Sequence, residues 1–203
     1  MDTQNIYKCM QNIYKCIYMV GARLDCSDLS CEDFYRADLR HALLKTSCLF
    51  GANLRAANLS YADAEAADFR EANMGLVIAR EANFKNCDFR KANLTSASLS
   101  SADLREADLR GANLIGADLT CADLRGAKMD DVQLWGANLV GAKTDKRYIT
   151  VCTPQISVIY CPDDKFLWAP AFTGPLHLFE EETKKGLQKV PFAEITDFLK
   201  KIS

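Results

Sequence analysis

The sequence predicts an all-β solenoid. Three observations carry that expectation. A five-residue period runs from Gly21 to about Lys146, a small residue stands two positions before each large apolar one, and no insertion interrupts the span.

With the large apolar residue taken as the centre of a unit, the centres run from Leu24, Leu29 and Phe34 to Leu139 and Thr144, 25 units in succession. Alanine stands two residues before the centre in 19 of these 25 units. An α-helix cannot explain the spacing, because a five-residue step turns about 140° and would smear the leucines around the circumference. A continuous strand fails too, since an odd step sends alternate leucines to opposite faces. Within one unit, however, Ala and Leu are two apart, so both point inward from a short extended segment. The other three residues must turn the chain, and segment plus corner, repeated, winds a coil. Single glycines recur in Gly-Ala steps, where a corner suits them.

The pattern A(D/N)LXX, as in ADLREADLRGANLIGADLTCADLRGAKM, resembles the pentapeptide-repeat family. The resemblance covers the repeat region and implies a right-handed quadrilateral parallel β-helix with four units per coil, here about six coils. Ser27 and Glu32 depart from the small-residue rule near the start and read as end effects. Gly75 to Ala79 (GLVIA) breaks the polar pattern once and reads as a local irregularity. Four units per coil would stack residues 20 apart. Asn53, Asn73, Asn93 and Asn113 then form a column that Gln133 continues, and stacked amides can hydrogen-bond along it. Phe69 and Phe89 would stack inside.

The flanking residues sort the surface by face. On one face Asp68, Asp88 and Asp108 run beside Arg70, Arg90 and Arg110; on the next, Asp63, Asp103 and Asp123 run beside Lys85, Arg105 and Arg125. The other two faces are nearly neutral, and they supply the candidate interaction surface. One carries Asn53, Asn73, Asn93 and Asn113 with Ile115 and Trp135; its neighbour carries Ile78 and Val140. Outward apolar residues on a polar scaffold call either for cover by the C-terminal segment or for a partner. Leu43, Cys48 and Phe50 form a second small cluster.

Residues 1–20 read as an N-terminal cap. A duplicated QNIYKC places Ile6, Met10, Ile13 and Ile17 on one stripe, which suits a short helix or, alternatively, an irregular first coil. Residues 21–146 are the β-helix. Residues 147–203 read as a small α/β capping or interaction module: YITVC and QISVIY as strands, PDDK as a turn, a Pro-rich apolar stretch FLWAPAFTGPLHLF, then helices over LFEEETKKGL and PFAEITDFLKKI.

Nothing in the sequence assembles a nucleophile and base, a phosphate loop or a metal site, so no cofactor is expected. The two histidines, His41 and His177, stand at no ligand spacing from cysteine, and the nine scattered cysteines read as reduced thiols of a cytoplasmic protein. The abundant Asp and Glu of the repeat read as solubilising. A net charge of −2 argues against direct nucleic-acid or membrane binding. The expected function is a non-enzymatic protein–protein interaction scaffold or regulatory adaptor with an unidentified protein partner. The resemblance brings two further options: homodimerisation through a solenoid end, and DNA mimicry directed at type II topoisomerases such as gyrase. The near balance of charge opposes mimicry, with 19 acidic and 16 basic side chains over residues 22–146. An enzyme or ligand carrier with its site in the C-terminal module is the remaining alternative.

Overall fold

The computed structural model describes residues 18–146 and four strands beyond them: β1 (Ile149–Cys152), β2 (Ser157–Cys161), β3 (Phe166–Ala169) and β4 (Phe172–Pro175). The chain divides into two compact units, Met1–Asp145 and Lys146–Ser203.

In the first unit every β-bridge is parallel and joins residues 20 apart, from Tyr18–Asp38 to Asp123–Lys143. Four units thus close one coil. Each unit has an inner small residue, a pre-centre residue, the centre, a post-centre residue and a corner. The unit Ala67–Glu71 shows where its five backbone N–H groups go. The Ala67 N–H closes a turn onto the Ala64 carbonyl at 3.0 Å, and that of Asp68 reaches down one coil to Ser47 at 2.9 Å. The N–H groups of Phe69 and Glu71 reach up one coil to Asp88 and Arg90 at 2.8 and 3.1 Å. The fifth, from Arg70, has no backbone partner and donates 3.0 Å to the Oδ1 of Asp68. A strand with one unpaired N–H in five would leave a costly orphan at every corner.

This side-chain cap recurs at most pre-centre Asp and Asn residues along the solenoid, for example at Asp33, Asn58, Asn83, Asp103, Asp118 and Asn138. The acidic residues of the repeat are therefore not merely solubilising, as composition suggested; a short acceptor is needed at that position, and Asn serves as well as Asp. Leu43 cannot provide one, and the Lys45 N–H is instead taken at 3.0 Å by Asp25 of the coil below.

Corners carry the second demand of the repeat. All 25 corner residues from Gly21 to Gly141 have positive φ, between 54° and 74°, although 18 of them are not glycine. The corner is the third residue of a hydrogen-bonded four-residue turn, the place where a type II turn requires left-handed backbone. Thr46, at φ 54°, is β-branched and so is under the greatest strain.

The interior is filled as the alternation predicts. Centres and inner alanines are almost wholly buried from Leu24 to Leu124, and Ala127 and Met129 are half-buried. Phe69 and Phe89 stack at 5.0 Å with 6° between planes, and Phe84 meets both edge-on. The small centre Ala64 lies directly below Phe84 in its column and leaves room for that ring. Non-alanine inner residues satisfy themselves: Ser47 donates to the Leu44 carbonyl at 2.6 Å and Cys87 to that of Ala64 at 2.8 Å. Gly75 to Ala79 causes no irregularity. The bridges Asn58–Ile78 and Ile78–Ser98 continue in register, with Val77 and Ala79 buried.

In the second unit the four strands form an antiparallel meander in the order β1-β2-β3-β4. Ile159 and Cys161, alternate residues of β2, are buried. The Pro-rich stretch is itself a strand pair, β3 opposing β4 with Ala169 facing Phe172. Pro175 sits at the end of edge strand β4, where a missing N–H is tolerated. Of the N-terminal cap expected over 1–20, Tyr18 already bridges Asp38 as part of the coils, while residues 1–17, the PDDK turn and the two C-terminal helices lie outside the described residues.

Five of the capping carboxylates that carry an Arg two residues on titrate low. Asp38, Asp68, Asp103 and Asp108 are held below the ordinary range chiefly by the side chain of the Arg two residues on. Asp123 is brought down to about 2 by Arg125 in the same way. A carboxylate depressed in the native state stabilises fully above its unfolded pKa near 4, and that stabilisation is lost as pH falls through the native value. Thermal melts should therefore be level from about pH 7 to 5 and drop between about pH 4 and 2; an unchanged melt at pH 2.5 would contradict this. Two substitution pairs test the backbone argument by denaturant unfolding. Asp88→Ala should cost about 1–2 kcal/mol and Asp88→Asn much less, since Asn keeps the acceptor while the exposed ion pair is worth little. Thr46→Gly should gain, and Gly111→Ala lose, about 1 kcal/mol. Steric clash is not the reason for the loss, because a Cβ on Gly111 would meet only Lys91 Cγ at an ordinary 3.7 Å.

Candidate interaction surface

Two faces are charge-compensated within themselves. On one, the guanidinium groups of Arg70, Arg90 and Arg110 each clamp the pre-centre Asp of the same unit at 2.6 Å. Longer contacts tie neighbouring coils, Arg70 to Asp88 at 3.7 Å and Arg90 to Asp108 at 3.9 Å. On the next face Arg105 and Arg125 hold Asp103 and Asp123 at 2.6 Å, and Lys45 bridges Asp63 and Glu65 at 3.2 and 3.1 Å. Arg70 also lies over the ring of Phe50 at 5.5 Å, which accounts for one member of the small apolar cluster. These forked pairs leave little uncompensated charge to attract a ligand.

The amide face is different. Its pre-centre column runs Asp33, Asn53, Asn73, Asn93, Asn113 and Gln133. Asn53 Nδ2 donates to Asp33 at 2.8 Å, Asn73 to Asn53 at 3.5 Å and Asn93 to Asn73 at 3.1 Å. The Oδ1 of Asn93 also receives both the N–H and the hydroxyl of Thr95, at 3.1 and 2.6 Å. Beside this ladder runs the post-centre column Tyr35, Arg55, Gly75, Thr95, Ile115 and Trp135. Ile115 is half-buried and Trp135 is 38% exposed. Ile78 and Val140 belong to the neighbouring face, three coils apart, at 39% and 66% exposure. The structure thus places Ile115, Trp135 and the asparagines together, and holds Ile78 and Val140 around one corner from them.

Several exposed groups escaped the reading of the sequence. Leu76 stands at the corner between the two neutral faces, and Tyr18 and Tyr61 project near the start of the solenoid. His41 stacks on Tyr61 at 5.1 Å with 9° between planes. The signal for that pair was present, because both occupy corners 20 residues apart. Among the cysteines, burial pushes the Cys87 thiol far up, whereas Cys26, Cys31 and Cys121 are exposed. Among the described residues no three His, Cys, Asp or Glu side chains gather to hold a metal ion.

Comparison with known proteins accords with this architecture. The family model for pentapeptide repeats matches residues 47–75, 79–111 and 107–143, in 8 copies. The chain is similar to HetL, a pentapeptide repeat protein involved in heterocyst differentiation regulation from the cyanobacterium Nostoc sp. strain PCC 7120. The two are 31% identical with a TM-score of 0.62, over 63% of this chain and 60% of HetL. It is also similar to the pentapeptide repeat protein Rfr23 of Cyanothece 51142, at 28% identity and a TM-score of 0.39, over 71% of this chain and 95% of that one. A pentapeptide repeat protein of the Arabidopsis thaliana thylakoid lumen is 37% identical, with a TM-score of 0.30 over 42% of this chain and 63% of its own. No curated protein matches the chain significantly. With its four-unit parallel coils and matched repeats, the first unit of this chain is a run of pentapeptide repeats folded as a right-handed quadrilateral β-helix.

Proposed function

We propose that the protein is a non-enzymatic interaction scaffold, or regulatory adaptor, that engages a protein partner through its two neutral faces. The observation that carries this reading is the division of the surface. Two faces satisfy their charges internally, while the other two present amides, Trp135, Ile78 and Val140 on an otherwise polar solenoid. Exposed Trp flanked by neutral polar groups is the kind of anchor that protein interfaces use. The likeness to HetL, whose described role is regulatory, supports the same direction, although this chain spans only 60% of that protein.

Mimicry of duplex DNA is the weaker reading, on electrostatic grounds. An imitation of phosphate rows needs uncompensated negative charge, yet here Asp68, Asp88, Asp103, Asp108 and Asp123 are each held by an Arg at 2.6 Å.

Affinity capture from cells, comparing the wild-type chain with Trp135→Asp, Val140→Asp and the charged-face control Arg90→Ala, tests the scaffold reading. Partner recovery should fall at least tenfold for one or both neutral-face variants and stay level for the control. Equal recovery with all three would sink the proposal. A gyrase supercoiling assay should show no inhibition by the protein.

A further inference from the structure

The amide face is complementary to itself. Gly75 leaves a gap in the post-centre column. It is buried, and a Cβ there would stand 3.4 Å from Asn93 Nδ2 and 3.5 Å from Asn73 Oδ1. Three coils further on, Trp135 projects from the same column. The corners alternate in the opposite sense, bulky Leu76 beside Gly75 and bare Gly136 beside Trp135.

Consider a second copy turned about a two-fold axis that lies in the face and across the solenoid. Each column then meets its own counterpart in reverse order. Trp135 lies over Gly75 of the second copy, Leu76 over Gly136, and Ile115 against Thr95. In the pre-centre column Asn113 meets Asn93, and Asn73 meets Gln133. Asn113 accepts from the Ile115 N–H at 3.0 Å, but the amide ladder stops at Asn93, whose Oδ1 already serves Thr95 and its own cap. The Asn113 NH2 is therefore placed to donate across such an interface.

Charge selects this face among the four. The same operation on the face of Asp68, Asp88 and Asp108 would set Asp against Asp and Arg against Arg, and like-charge juxtaposition is strongly unfavourable. On the face of Ile78 and Val140 it would press Arg80 onto Val140. The four coils from Gly75 to Trp135 carry no charge in either column of the amide face, and the one like-charge pairing, Glu71 with Asp131, falls at the corner on its outer edge.

We propose that the protein forms an antiparallel two-fold dimer through the amide face, Trp135 of each copy seated over Gly75 of the other. This rests on reading the amide face as a recognition surface, which the second copy occupies where no other partner is bound. Four coils span only about 14 Å between outer strands, so the contact is smaller than the roughly 800 Å² per partner of standard interfaces. The dimer is accordingly weak and concentration-dependent.

Sedimentation of the full chain between about 5 and 500 µM should show a monomer–dimer equilibrium. Thr95→Glu and Ile115→Arg should each weaken it at least tenfold, and mixing the two variants should restore it, because Thr95 of one copy faces Ile115 of the other. A photo-reactive benzoylphenylalanine replacing Trp135, in a mixture of isotopically light and heavy protein, should cross-link between copies near Gly75. Within one solenoid that position is about 14 Å away, beyond its reach. A monomer throughout the range, a dimer indifferent to both variants, or cross-links elsewhere would each overturn the dimer. None of those results touches the scaffold reading, which fails only if partner capture survives both Trp135→Asp and Val140→Asp.

Discussion

Every fifth backbone N–H of this solenoid, the one following the centre, points where no neighbouring coil supplies a carbonyl. In most units the Asp or Asn two residues earlier provides the acceptor, and much of the molecule follows from that. The short side chain folds back over its own unit, which fixes the entry to the corner. The corner residue then takes positive φ, and its own N–H is free to bond the next coil. A repeat without a short acceptor could still place Ala and Leu inward, but it would leave an orphan donor on each of four edges in every coil. The inner pair fills the core; the cap lets the chain turn as often as it does.

That division of labour explains how charge is used. An Asp committed to a cap is half-buried and accepts at least one hydrogen bond before any cation approaches. An Arg two residues on can then lie along the same carboxylate with its fork, so the pairs along Asp68–Arg70 and its stacked neighbours form within units and only secondarily between them. The result is a surface with many charges and a weak field. Where the cap is Asn instead, no cation is called for, and the column becomes a neutral ladder. The choice of Asp or Asn has no consequence for the fold and a large one for the character of the face.

Much of this was legible in the sequence, and the reasons for the rest are physical. Period and inward pair follow from steric alternation, and the family resemblance supplied the 20-residue stacking; together they let the core columns and the Phe69–Phe89 stack be read. The cap could not be read from hydropathy, because Asp and Asn before a leucine look the same whether they face water or close a turn. GLVIA looked like a break for a related reason. Hydropathy registers Leu76 and Ile78 as anomalies, whereas the backbone tests only whether Val77 and Ala79 fit inward and Leu76 can adopt φ 60°. In the second unit FLWAPAFTGP hid a strand pair, because Pro argues against strands unless it falls at an edge.

Recognition in such a molecule is confined to few positions. The inner residue and the centre are committed to the core, the pre-centre residue to the cap, and the corner is limited to what tolerates left-handed backbone. The post-centre residue is the least constrained, and it repeats at strand spacing down each face. A functional surface must therefore be written as a column, and a column is informative where it departs from uniformity. On the amide face that departure is an ordered series, Gly75, Thr95, Ile115 and Trp135, rising from no side chain to the largest one. A gradient of that kind contributes nothing to coil stacking, which the backbone already secures, and reversal is the operation under which it fits itself.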